Sequence, residues 1–182
     1  MHRSVAALLV LAAGCGTTPA PAAGPVPVEQ PPPVASSTPT PGPAKVGGKQ
    51  VSADNESSMD VTVLRLRMPF TPIVADVLDR KGYVYAGAEV KACVTRNTGA
   101  LPIGVSWGPW SLSYGSGVVV EAASSYGDWW DEPLYPQQHI VPVGRCVRGW
   151  VPFEVRSSDG RPERVTYTPS DGSSLEWTVA AS

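Results

Sequence analysis

The stretch whose residue types could do chemistry is Tyr126-Gly127-Asp128-Trp129-Trp130-Asp131-Glu132-Pro133-Leu134-Tyr135, where aromatic rings and carboxylates share one short segment. Indole and phenol rings stack on sugars or peptides, and carboxylates accept sugar hydroxyls or hold a hard cation. Tyr126, Asp128, Trp129, Trp130, Asp131 and Glu132 therefore form a candidate ligand-binding loop. The competing reading is structural: an indole folds back as a lid on the domain edge while the acids keep the loop soluble. Asp128, Asp131 and Glu132 do not make an acid and base pair by themselves, because glycoside chemistry needs two carboxylates held apart at a set separation.

Nucleophilic and metal chemistry find less support. His139 is the only histidine outside the first residues, and no G-x-S-x-G elbow accompanies it. It stands in Pro136-Gln137-Gln138-His139-Ile140 and reads as an exposed loop residue. Gly115 and Gly117 fall in a hairpin with no Lys-Ser or Lys-Thr after them, so they do not form a phosphate loop. The expectation is a domain without a catalytic set, a metal site or a cofactor. Lys and Arg are scattered singly and the formal net charge is −2, which argues against a nucleic-acid binder.

The N-terminus reads as an address. MHRSVAALLVLAAGC combines Arg3 with an apolar run, Val5 to Ala13, too short to span a bilayer, which is the pattern of an export signal over residues 1–14. Its ending, Leu11-Ala12-Ala13-Gly14-Cys15, resembles the bacterial lipobox, in which the cysteine thiol is lipidated and its amine becomes the mature N-terminus. That resemblance implies a lipid anchor at Cys15 and a place on the extracytoplasmic side of the cell membrane, with a cell-wall or envelope protein partner in reach. From Gly16 to about Gly48 the chain is Pro, Ala, Thr, Gly and Ser with hardly a charge. Such a segment builds no core and favours polyproline II, so at up to about 3.1 Å per residue it is a tether of about 70–100 Å. The linker is taken to run through residue 58.

From Met59 the vocabulary changes to short apolar runs separated by turn residues. Seven strands are expected: Asp60–Arg67, Tyr83–Arg96, Ile103–Tyr114, Val118–Ala123, Gly144–Arg156, Arg164–Thr168 and Leu175–Val179. Ile73–Leu78 is read as a connection, because prolines precede it and Lys81-Gly82 follows. The fold class is all-β, an immunoglobulin-like two-sheet sandwich over residues 59–182. Trp150 and Trp177 are expected to be structural, with one of Trp107 and Trp110 in the core and the other at the surface.

The chain has three cysteines. With Cys15 assigned to the anchor, Cys93 and Cys146 remain as a pair in an oxidising compartment and are expected to be bridged. Val90, Ala92 and Val94 form the apolar face of AEVKACVTR, which puts Cys93 opposite them with Lys91 and Thr95. In GRCVRGWVPFEV, Val147, Val151, Phe153 and Val155 face the core while Cys146 goes with Arg148 and Trp150. The bridge should therefore join neighbouring strands of one sheet from outside, unlike the core-crossing disulfide of antibody domains. The alternatives, a redox pair or a thiolate metal site, lack a C-x-x-C spacing and further ligands.

The succession of features carries a resemblance. A lipobox and tether are followed by Asn97-Thr98-Gly99, Pro142-x-Gly144, Gly149-Trp150-Val151-x-Phe153-Glu154-Val155, Val165-Thr166-Tyr167-x-Pro169 and Trp177. This order resembles bacterial lipoproteins and secreted proteins with the telokin-like, immunoglobulin-fold domain named after a mycobacterial immunoprotective extracellular protein. The resemblance implies the sandwich fold, in a group largely of unknown function. The expected role, binding or interaction at the cell envelope without catalysis, rests on the export and tether segments joined to a domain that lacks a catalytic set, and its alternative is a carbohydrate- or cell-wall-binding module working through Trp129 and Trp130.

Overall fold

Runs of Val, Leu, Tyr, Trp and Thr extend because branched and aromatic side chains pack well on a pleated surface, and Gly, Pro, Asn and Asp turn the chain between them. The computed structural model describes residues 42–73, 80–124, 127–170 and 173–180 and is an all-β sandwich. The export signal, Cys15, most of the tether, Tyr126, and all but Ile73 of the connection Ile73–Leu78 lie outside the described residues. The strands are β1 (Ala44–Lys45), β2 (Lys49–Ala53), β3 (Ser57–Arg67), β4 (Tyr83–Asn97), β5 (Gly104–Val105), β6 (Trp110–Ser113), β7 (Val119–Glu121), β8 (His139–Ile140), β9 (Cys146–Arg156), β10 (Arg164–Tyr167) and β11 (Leu175–Thr178). One sheet runs β1-β11-β10-β6-β7, a second runs β2-β3-β4-β9, and β5 pairs with β8.

The core lies between the two larger sheets and follows the alternation of the strands. Val61 and Val63 of β3, Val90, Ala92 and Val94 of β4, and Val151, Phe153 and Val155 of β9 are all buried on the inner face of the second sheet. Trp110, Leu112, Val165, Tyr167, Leu175 and Trp177 meet them from the first. Trp110 is the centre of that layer, with its ring 4.8 Å from Tyr167 and 6.0 Å from Trp177. Trp107 is half-buried at the core's rim. The two indoles separate because the expected strand Ile103–Tyr114 breaks at Trp107-Gly108-Pro109, where Trp110 N–H turns back onto Trp107 O (3.0 Å).

The folded unit begins earlier than the change of composition at Met59. Ala44–Lys45 pairs in parallel with β11, and Lys49–Ala53 pairs in antiparallel fashion with β3. Composition hides these strands because Gln50 and Ser52, the residues of β2 that turn away from the exposed Lys49, Val51 and Ala53, are polar and leave no apolar period to read. What holds β2 is polar and main-chain: buried Gln50 donates its amide to Glu176 O, and Trp177 Nε1 donates to Gly48 O at 2.7 Å.

Tyr135 also enters this core, with its ring 6.2 Å from Trp110. Its hydroxyl finds no hydrogen-bond partner among the described residues, and burial pushes its pKa well up. A buried polar group without a partner carries its desolvation cost uncompensated. Tyr135→Phe should therefore leave stability unchanged or raise it by about 1 kcal/mol in urea unfolding. A clear loss would mean that the hydroxyl has a partner in solution.

Candidate functional site

The aromatic and acidic loop is positioned by an irregularity in β3. Met59, Val61 and Val63 point inward, and strict alternation would send Arg65 and Arg67 into the core as well. The strand instead shifts register between Val63 and Arg65, so that Val63 pairs with Val90 but Arg65 pairs with Glu89. This bulge at Leu64 turns both arginines to the outer face of the second sheet. Phe70 N–H donates to Tyr85 O (2.7 Å), which lays the Phe70 ring flat on that face. Gly87 makes room for it: a Cβ there would lie 2.7 Å from the ring carbons.

On this floor the rings stack. Phe70 lies between Trp130 (centroids 4.2 Å, planes 9° apart) and Trp150 (4.8 Å, 20°), and Tyr85 meets Trp130 edge-on at 5.1 Å. The Arg67 guanidinium sits 4.7 Å from the Trp150 ring centroid and 5.5 Å from that of Phe70, and the Arg65 guanidinium lies 5.0 Å from Trp150. Phe70, Trp130 and Trp150 form a second, smaller core on the outside of the sheet, with Trp129 and Leu134 packed against it. Trp150, on the outer face where strand parity puts it, is therefore 1% exposed.

The loop then crosses the edge of β9. Leu134 forms a parallel bridge with Trp150, whose N–H donates to Pro133 O (2.9 Å) and whose carbonyl accepts from Tyr135 N–H (2.8 Å). Gly149 permits the crossing, since a Cβ there would lie 2.4 Å from Tyr135 N and 2.5 Å from Leu134 C. One segment thus places Trp130 outside the sheet and Tyr135 inside it, with the open edge of β9 clamped between them. Unpaired strand edges are hazards that proteins cover.

The acids of the loop divide accordingly. Glu132 pairs with Arg67 and ties the loop to β3, whereas Asp128 and Asp131 are exposed and are not brought together with other ligands. Among the described residues no group of three His, Cys, Asp or Glu could hold a metal ion. His139 is exposed on β8, beside an open cavity of about 550 Å³ lined by Gly104, Val105, Ser106, Gln137 and Gln138. Cys93 and Cys146 are directly opposite each other on β4 and β9 and are bridged, on the outer face, with Cα atoms 4.0 Å apart.

Sequence reasoning missed the carboxylate at the centre of this face. Glu89 is 5% exposed and accepts from Arg65 Nε (2.5 Å) and Arg148 Nε (2.7 Å). Burial pushes its pKa up, but the two guanidiniums outweigh that and hold it below the ordinary glutamate value of 4.5. The one available signal was a glutamate, Glu89, directly before an apolar alternation that left it on the outer face. A depressed carboxylate stabilises the fold fully above its unfolded-state pKa, and that stability is lost as pH falls through the lower folded value. Lowering the pH below 4.5 should therefore reduce the melting temperature, and Glu89→Gln should remove that part of the pH dependence while destabilising the fold at pH 7. A variant with the same acid limb as the wild type would exclude Glu89 as its source.

No family model matches the chain, and no curated protein matches its sequence. Among solved structures it resembles the secreted protein MPT63 of Mycobacterium tuberculosis at a TM-score of 0.58 and 14% identity, over 78% of this chain and 99% of that one. It is also similar to the Bacillus subtilis protein yjhA, with a TM-score of 0.52 and 11% identity over 75% of this chain and 99% of the other. The B. subtilis candidate lipoprotein ycdA matches at a TM-score of 0.50 and 16% identity, over 74% of this chain but 38% of that one. These likenesses define a shared β-sandwich architecture. They carry no residue-level role to this chain.

Proposed function

We propose that this chain is a lipoprotein, exported by residues 1–14 and held through Cys15 on the outer side of the cell membrane, whose sandwich domain binds or docks rather than catalyses. The observation that carries this reading is the Cys93–Cys146 pair. Two cysteines 53 residues apart meet on an accessible outer face at bonding distance, and such bridges persist in oxidising compartments outside the cytoplasm. The lipobox-like ending at Cys15 supports an anchor in that compartment, and the secreted and candidate lipoprotein neighbours share the fold. A binding role is favoured over catalysis because the acids of the candidate loop are split between an ion pair and solvent. The structure does not favour a sugar site on Trp130, whose ring is 9% exposed and stacked on Phe70.

The test is metabolic labelling of expressing cells with an alkyne fatty acid. The wild type should carry the label and partition into the detergent phase, and Cys15→Ala should lose both properties. A wild-type protein that is secreted without label would refute the anchor.

A further inference from the structure

The lysines and arginines that stand singly in the sequence are gathered by the fold. The strands of the second sheet carry seven Lys and Arg against three Asp and Glu, whereas those of the first carry two of each. The whole chain nevertheless has a net charge of −2, so the positive excess belongs to one sheet. Its densest part is a row across all four strands, set by register: Lys49 lies opposite Thr62, Thr62 opposite Lys91, and Lys91 opposite Arg148. Directly paired residues in antiparallel strands share a face, and strands lie about 4.8 Å apart, so the row spans about 14 Å.

The charges in this row are not all answered from within. Lys49 pairs with Asp60, and Arg148 shares Glu89 with Arg65. Lys91 is exposed and has no acidic partner among the described residues, although it lies directly opposite Arg148. Like charges opposed across a ladder destabilise it, and an anion lying across the row removes that repulsion. The aromatic lid covers the Trp150 half of the outer face, but the Lys91 half is open, with the Lys49 and Arg148 side chains 59% and 60% exposed.

We propose that this basic face docks on the anionic headgroups of the membrane surface. The proposal rests on the anchored reading above, which holds the domain within tether length of that surface. Chain connectivity is compatible with it: after the short β1 on the other sheet, β2, the strand that carries Lys49, is the second strand of the folded unit and forms an edge of the basic sheet. Anionic leaflets attract clustered Lys and Arg, and tethering raises the effective concentration of a weak site.

The experiment uses the mature chain from residue 15 with Cys15→Ala, which carries no acyl group, and vesicles of phosphatidylcholine with or without phosphatidylglycerol. Co-sedimentation should require phosphatidylglycerol and weaken as salt is raised. Lys91→Glu should reduce binding about tenfold or more, and Lys91→Gln by a smaller factor. Lys45→Glu, which makes the same charge change on the other sheet, should leave it unchanged. Equal binding with and without phosphatidylglycerol, equal loss in Lys45→Glu, or binding to a soluble polyphosphate without binding to vesicles would each overturn the proposal. Because the protein tested is not acylated, failure here counts against the docking face alone, and failure of the fatty-acid labelling counts against the anchor alone.

Discussion

Phe70→Ala is expected to lower stability by about 3–5 kcal/mol, a loss comparable to truncating an aromatic side chain in the main core. Phe70 is 1% exposed and forms the middle of three stacked rings, so its removal opens a gap that neither Trp130 nor Trp150 can close without leaving the sheet or the clamp. Arg67 loses one of the two rings it covers. The consequence should be local first: the loop from Gly127 to Tyr135 loosens, tryptophan emission shifts to the red, and limited proteolysis finds a new site there. Urea unfolding measures the energy. A loss below about 1 kcal/mol would show that the outer stack is decoration and that the edge of β9 is held by main-chain bonds alone. Gly87→Ala is a companion probe, since its Cβ would press on the same ring; overpacking of that kind costs about 1–3 kcal/mol.

The second large effect is loss of the Cys93–Cys146 bridge. The cysteines are 53 residues apart, and closing a loop of that length restricts the unfolded chain by about 4 kcal/mol in the chain-entropy description. Replacing both cysteines by Ala, or reducing the protein, should lower the melting temperature by about 10 °C or more for a domain of this size. The fold itself should survive, because β9 pairs with β4 along the whole length of β9, from Tyr83↔Arg156 to Cys93↔Cys146. A melting temperature unmoved by reductant would mean that the thiols are free in the isolated protein, and the oxidising compartment would lose its main support.

These two sites differ in how visible they are in the linear chain. The placement of Cys93 and Cys146 on an outer face follows from residues immediately beside each of them, since Val90, Ala92 and Val94 in one strand and Val151, Phe153 and Val155 in the other state which side is buried. The role of Phe70 does not. It lies between Pro69 and Pro72 with no periodic pattern around it, and its importance comes from Gly87, Trp130 and Trp150, which reach it from three distant segments. Trp129 and Trp130 were recognisable as unusual. Of the two, Trp130 is the one taken into the stack, while Trp129 packs at its rim.

β2 shows the opposite failure. Its inward residues are Gln50 and Ser52, so the strand carries no apolar alternation and reads as the end of a Pro-rich linker. Arg65 and Arg67 show a third kind. Their parity with Val61 and Val63 points them inward, and only the bulge at Leu64, a relation between β3 and β4, turns them out.

The amino-acid sequence therefore determined the strand-rich character of the domain, its main turns and the faces of its two folded cysteines, because each of these depends on side chains a few residues apart. The tertiary structure decided that the aromatic loop is a clamp on β9, that Glu89 sits between two guanidiniums, and that Lys49, Lys91 and Arg148 stand in one row. Those features depend on the register between strands that are far apart in the chain. A one-residue shift in that register would send the same side chains to the opposite face.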